Sequence, residues 1–249
     1  MLQDGYSMMK LTFLGTRSSL LQQHPHHRQH SSLLVECDGH RVMIDCGGDF
    51  GEQLSRIAPD ALVLTHAHED HAGGLAAGSP CPVHLTEATA RILRRQGYDP
   101  ERWQPAEKLS LVFGRLRIRS FAVYHSLRAP AVGLRLEDGR SCCIYLSDVA
   151  MLGKNASFLA GADLYIGDGT CFGDELVRIE QGVPCGHAAI TSQLAWAATA
   201  GIRRVLMTHC GPEICRDEDR AQRTIAGLGA RLGLQAAFAR DGQSVVLAE

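Results

Sequence analysis

The chain is poor in the features that mark many classes of protein. Its nine cysteines are odd in number and scattered, with no CxxC pair. That speaks against a disulfide framework or a cysteine-rich zinc knuckle, and for the reducing cytoplasm. An excess of one charge is missing too: 25 basic residues face 27 acidic ones, for a formal net charge of -2. Any nucleic-acid contact would need a local patch, because the overall balance supplies no attraction. No apolar stretch approaches the roughly 18–20 residues that cross a bilayer, so no membrane partner is expected. The opening, MLQDGYSMMKLTFLG, lacks the charged and apolar regions of a secretion signal. Low-complexity linkers and composition shifts are absent. We therefore expect one domain over residues 1–249, with 1–8 an extension outside the fold.

What is present is a regular succession of short apolar runs. Residues 10–14, 32–36 and 41–45 read as strands, the last two joined by the turn Asp38-Gly39. A short helix near 51–57 precedes a buried strand at 61–65. Residues 86–95 read as an amphipathic helix with Thr86 as N-cap. Strands follow at 109–113, 116–122, 131–136 and 142–147, separated by turn signals. The last third alternates strands at 163–166, 204–208, 235–237 and 244–248 with helices at 189–200 and 217–228. This order predicts an α/β protein: two mixed sheets packed face to face, with helices outside.

The run Ala61-Leu62-Val63-Leu64 leads into THAHEDHAGGL, which crowds His66, His68, Glu69, Asp70 and His71 where a strand becomes a loop. Side chains at i and i+2 of an extended segment point the same way, so His66 and His68 can reach one ion. Asp70 and His71, past the turn, can face a second. Glu69 has no ligand role in this reading. Histidine and aspartate donors suit borderline divalent metals such as Zn, Mn, Fe or Co. Further donors should stand at the ends of later strands, and three apolar runs end so. Phe121-Ala122-Val123-Tyr124 leads to His125, Ile144-Tyr145-Leu146-Ser147 to Asp148, and Val205-Leu206-Met207-Thr208 to His209.

Taken together, the THAHEDH cluster, Asp45 in MIDCGG, His125, Asp148, His209 and the opening LTFLGTRSS resemble the metallo-β-lactamase-fold hydrolase superfamily. The resemblance runs from about Lys10 to Glu249 and implies a four-layer αββα sandwich with a two-metal site at one edge. It also implies ligands: His66, His68 and His125 for one ion, Asp70, His71 and His209 for the other, and Asp148 bridging them. Asp45 would lie beneath the site and orient ligands. Two divalent ions are expected, Zn in the first place, with Mn or Fe accepted by the same donors.

The bridging Asp148, where true β-lactamases carry a cysteine, favours a hydroxide nucleophile and phosphoester or other ester hydrolysis. The segment GHAAITSQLAWAATAGIRRVLMTHCG looks like the histidine motif of tRNase Z and of phosphoribosyl cyclic phosphodiesterase, which implies that His187 contacts the phosphate or protonates the leaving oxygen. Asp70, Asp148 and His187 are thus the expected catalytic residues. Two departures bear on the branch. Only residues 126–147 separate His125 from Asp148, leaving no room for the tRNA-gripping arm of tRNase Z. The cyclic phosphodiesterase has a cysteine-rich structural zinc site that these scattered cysteines do not supply. The histidines at 24, 26, 27 and 30 invite a further metal, but a loop gives them no fixed geometry. The preferred reading places Arg28 and His30 on the cleft wall against an anionic substrate. Cys46 and Cys210 are read as packing, and Trp103 and Trp196 as core or cleft wall.

The expected function is phosphodiester hydrolysis on a small or cyclic phosphate ester. Lactone, thioester or carboxylic ester hydrolysis and tRNA 3′ processing stand as alternatives, and a non-catalytic metal-bound binding module ranks last. A homodimer is common in such enzymes, though no interface signature is visible.

Overall fold

Alternation of neighbouring side chains across each strand gives the architecture its layers. In the computed structural model, which describes residues 8–19 and 24–247, Leu33 and Val35 enter one core while Leu34, between them, enters another. Residues 1–7 of the expected extension lie outside the described residues.

The strands in chain order are β1 (Lys10–Gly15), β2 (Ser32–Cys37), β3 (His40–Ile44), β4 (Ala61–Val63), β5 (Val83–Thr86), β6 (Trp103–Ala106), β7 (Ser110–Phe113) and β8 (Leu116–Ala122). There follow β9 (Val132–Glu137), β10 (Cys142–Tyr145), β11 (Leu164–Asp168), β12 (Val177–Glu180), β13 (Val183–Gly186), β14 (Arg204–Thr208), β15 (Gln235–Phe238) and β16 (Ser244–Val246). One seven-stranded sheet has the order β16-β1-β2-β3-β4-β5-β6, and a second the order β15-β14-β11-β10-β9-β8-β7. Each is antiparallel at one end and parallel at the other, through β3–β6 in the first and β10, β11, β14 and β15 in the second.

The inner faces meet in a core of Leu11, Phe13, Val42, Ile44 and Val63 against Ile118, Leu134, Tyr145, Leu164 and Ile166. The outer face of the first sheet is covered by α1 (Leu54–Ile57), α2 (Glu69–Ala72), α3 (Glu87–Arg95) and the 3-10 turns beside them, around Leu62, Leu85 and Leu93. The second sheet is covered by α4 (Ile190–Thr199), α5 (Pro212–Arg216) and α6 (Glu218–Arg231), around Tyr165, Leu194, Met207 and Ile225. This is the expected αββα sandwich. Each fully buried leucine or isoleucine contributes about 1.5–3 kcal/mol. No helix among the described residues is long and apolar enough to cross a membrane.

Three features escaped the sequence pattern. Strands β5 and β6 are four residues each, and β6 contains Pro105. Proline is tolerated there because β6 is a sheet edge, where one N–H row pairs with nothing. The hairpin β12–β13 turns at Gln181 and Gly182, whose φ values of 49° and 79° match the twist of a two-residue hairpin. Conversely, Thr86 caps α3 as expected, its hydroxyl accepting from the Thr89 N–H at 3.2 Å.

Close backbone approach fixes the loops at the parallel ends. A Cβ on Gly47 would lie 2.3 Å from the Asp70 carbonyl oxygen and 2.6 Å from His30 Cβ, whereas one on Gly48 would meet nothing within 4 Å. We therefore expect Gly47→Ala to cost about 1–3 kcal/mol and lower the melting temperature by several degrees. Gly48→Ala should leave it unchanged. Equal melting points for the two variants would contradict this packing.

Candidate metal centre

Asp45 follows β3, and Thr65 and His66 follow β4, so parallel strands of the first sheet deliver them to one edge. Asp148, Asp168 and His209 follow or end β10, β11 and β14, the parallel strands of the second sheet. Ligands gather at the carboxyl ends of parallel strands because the backbone there is released from the ladder. Two of these residues have unusual backbones, Asp45 at φ 60° and His209 at φ 54°. For a residue with a Cβ the left-handed region costs on the order of 1–3 kcal/mol, and it persists only where the surroundings impose it.

The hydrogen bonds assign each imidazole its proton. Thr65 donates its hydroxyl to Asp45, 2.9 Å from Oδ2, so its oxygen accepts from His66 Nδ1 at 3.0 Å. Asp45 Oδ2 accepts from His71 Nδ1 at 2.9 Å. The Gly186 carbonyl accepts from His125 Nδ1 at 3.0 Å. Thr170 donates to Asp168 Oδ1 at 2.6 Å, so its oxygen accepts from His209 Nδ1 at 3.0 Å. In each of these four rings the Nδ1 hydrogen is committed outward, so Nε2 is the nitrogen turned inward. Such carboxylate, hydroxyl and carbonyl partners are the means by which proteins orient metal-binding histidines.

The inward atoms form two sets. His68 Nδ1 lies 2.9 Å from His66 Nε2 and 3.2 Å from His125 Nε2, with Asp148 Oδ1 3.5 Å from the latter. His209 Nε2 stands 3.1 Å from Asp70 Oδ2, which is 3.6 Å from His71 Nε2. Within each set all donor atoms lie within 4.8 Å of one another. Asp148 spans them, since its Oδ2 lies 2.9 Å from His71 Nε2. Both of those last atoms are buried and share no well-aligned hydrogen bond, an arrangement that a proton or a cation between them would satisfy.

Electrostatics separates the sets. Burial, then His71, push the His66 pKa well below its ordinary value, and burial, then His125, lower that of His68 to about 4. These are neutral nitrogen donors. Burial would lower His71 and His209 as well, but Asp148 and the neighbouring acids outweigh it and raise both, His209 to about 10. The second set is thus the anionic one and draws positive charge. Cys46, beside Asp45, is pushed up to about 12 by burial and then by the Asp45 charge, which suits packing.

The expected residues His66, His68, Asp70, His71, His125, Asp148 and His209 all converge, with Asp45 beneath them. His187 joins them at the rim, its ring 5.0 Å from His125 and 5.4 Å from His209, and its side chain 23% exposed. Asp168 was missed. It accepts from His187 Nδ1 at 2.7 Å and is tied through Thr170 to His209, and it too ends an apolar run, Leu164-Tyr165-Ile166-Gly167. The cleft-wall pair fares unevenly. His30 packs against Gly47, with Nδ1 2.9 Å from Asp49. Arg28 is exposed, and the contacts described for it run through its backbone, the N–H to Asp241 and the carbonyl to Arg17. Arg17, from LGTRSS, is buried, bonded to Asp49 at 2.8 Å, and its segment flanks Cys210.

Two mixed sheets, helices outside, and a histidine-aspartate edge between them define the class of metallo-β-lactamase-fold hydrolases. Residues 40–210 match the family model for the beta-lactamase superfamily domain, and the chain belongs to that superfamily. A Ribonuclease Z of Bradyrhizobium diazoefficiens is 44% identical over 73 residues, which span 27% of this chain and 23% of that protein. The chain thus matches about a quarter of the length of that relative. A Ribonuclease Z of Mycobacterium avium is 23% identical over 88% of this chain and 92% of its own length. Among solved structures, a diphosphatase from the PhnP family superposes with a TM-score of 0.74 at 20% identity, covering 97% of this chain and 98% of that one. At that identity the likeness speaks for the fold alone.

Since Asp45 serves both His71 and Thr65, Asp45→Asn would place an amide donor where one of them needs an acceptor. We expect the affinity for zinc, measured by chelator competition, to fall about 10–100-fold. Unchanged affinity would contradict the orienting role.

Proposed function

We propose that this protein is a dinuclear metal-dependent phosphodiesterase acting on a small or cyclic phosphate ester. His66, His68 and His125 would hold one divalent cation, Asp70, His71 and His209 the other, with Asp148 shared. Bound there, two such ions (zinc in our reading, with manganese or iron compatible with the donors) would polarise the phosphoryl oxygens and make water acidic enough to attack at neutral pH. The observation that carries the reading is the pair His187–Asp168. Asp168, held near pKa 2 by His187 and His209 against its burial, stays ionised and fixes the His187 ring. Burial would lower the pKa of His187, but Asp168 and Asp148 raise it, which favours a second proton on the partly exposed ring, at Nε2, while Nδ1 is held by Asp168.

Hydrolysis needs a base for the water and an acid for the departing oxygen. Asp70 is held low by His71 and His209 despite burial, so it is ionised and positioned to accept the proton of the attacking water. As the water oxygen bonds to phosphorus, the ester P–O bond breaks and His187 Nε2 protonates the leaving oxygen. An alkoxide leaving phosphorus needs such an acid, and the resemblance of the His187 segment to the motif of phosphodiester-cleaving enzymes is what favours phosphoesters over other esters. Between His125 and Asp148 lie only β9, β10 and their loops, so tRNA would find no gripping arm there.

Two measurements test this. Zinc-loaded protein should cleave bis(p-nitrophenyl) phosphate in preference to a lactone or a thioester, and a preference for either of those would overturn the assignment. His187→Ala should slow an alkyl phosphodiester by about 10²–10⁴-fold, at unchanged metal content. Loss on the p-nitrophenyl substrate should be much smaller, because that phenolate leaves without a proton. Equal losses on both would remove His187 as the acid.

A further inference from the structure

A second cluster of ligand-type side chains lies in the loop after β1 and belongs to none of the machinery above. His24 and His27 face each other across a tight turn, the His27 N–H donating to the His24 carbonyl at 3.0 Å and the reverse contact at 3.4 Å. Pro25 and His26 form its tip. The turn brings the His24 and His27 rings to 5.6 Å. Opposite them, from the other end of the chain, stands the buried carboxylate of Glu218, the first residue of α6. His24 Nδ1 is 3.5 Å from Glu218 Oε2, His26 Nδ1 touches the same oxygen, and His27 Nε2 is 3.8 Å from Oε1. The donor atoms of His24, His27 and Glu218 all lie within 4.8 Å of one another.

The protonation of His27 decides what this cluster can do. Thr16 Oγ1 lies 2.7 Å from Asp241 Oδ1 and 2.7 Å from His27 Nδ1. A carboxylate oxygen can only accept, so the threonine proton goes to Asp241 and its oxygen accepts from His27 Nδ1. That leaves Nε2 as a bare lone pair. The atom is buried with no hydrogen-bond partner, on a ring with no exposed surface, and it faces a carboxylate. Burial, the largest influence on it, lowers its pKa to about 4 even against Glu218, so a proton does not fill the gap at neutral pH. An acceptor buried against an acceptor is unfavourable unless a positive centre lies between them. Arg240 Nε binds Glu218 Oε1, the oxygen that His27 faces, at 2.6 Å, but it gives His27 Nε2 no hydrogen bond and that atom stays without a partner.

We propose that His24, His27 and Glu218 form a zinc-type cation site separate from the catalytic cleft. Imidazole nitrogens with one carboxylate match the donor types that zinc prefers, with water as the fourth ligand. The site clips the loop after β1 to α6. It also buttresses the cleft indirectly, because Thr16, which orients His27, accepts through its carbonyl from the N–H of Cys210, next to His209, at 2.6 Å.

Metal counting on the purified full-length chain tests the proposal. With the cleft donors removed in a His66→Ala/His68→Ala/His209→Ala variant, about one zinc per chain should remain after dialysis. Its melting temperature should rise with added zinc, as binding to the folded state alone requires. Adding Glu218→Gln or His24→Ala to that variant should abolish both the retained ion and the rise. Should the cleft variant fail to fold, Glu218→Gln or His24→Ala in the otherwise native chain should lower the zinc content by one ion while bis(p-nitrophenyl) phosphate is still cleaved. A folded cleft variant that retains no zinc, or a zinc content that neither substitution lowers, would overturn the site and leave the cluster a hydrogen-bonded ion pair.

Discussion

The structure turns on imidazole rings whose outward nitrogens are committed before any ligand arrives. Asp45, Thr65, Gly186 and Thr170 each take an Nδ1 hydrogen, and the Nε2 atoms that remain are held together with Asp70 and Asp148 in a buried place. Such a crowding of ionisable groups away from water is unfavourable by itself, and much of the fold serves to impose it. The left-handed backbones of Asp45 and His209 add strain. The central apolar layer binds the two sheets so that strand ends from opposite sheets cannot separate. Contacts such as His71 with Asp148 and His209 with Asp70 join residues of different sheets, so the site exists only when the sandwich is closed.

From this arrangement follows a division of labour among the carboxylates. Asp148 faces both sets of donors, and Asp70 faces the second. Asp45 stands behind, with no oxygen in either set. Asp168 orients His187 directly and His209 through Thr170, so one buried charge governs a candidate ligand and the candidate acid together. A change at Asp168 would therefore be felt in both.

Much of this was legible in the sequence, and what was not has a common cause. The HxHxDH set shares one strand end, and His125, Asp148 and His209 each close an apolar run, so local pattern reveals them. Asp168 closes a run as well, yet its meaning rests on His187 and Thr170, which only the folded chain brings to it. The pairing of the early histidines with Glu218 lies beyond any local pattern, because the partners are 192 positions apart. In a loop without an element to set direction, Arg28 was expected at the cleft wall, whereas its described contacts are those of its backbone. Short strands such as β5, and β6 with its proline, fail for the opposite reason: their pairing is decided by neighbours in the sheet.

The central claim is that two cations sit between the two halves of this edge. Anomalous diffraction from crystals of the metal-loaded protein, recorded at the zinc, manganese and iron edges, tests it most directly. The account predicts two cleft peaks, one among His66, His68, His125 and Asp148 and one among Asp70, His71, His209 and Asp148. A fully loaded crystal with a single cleft peak, or with none, would contradict it.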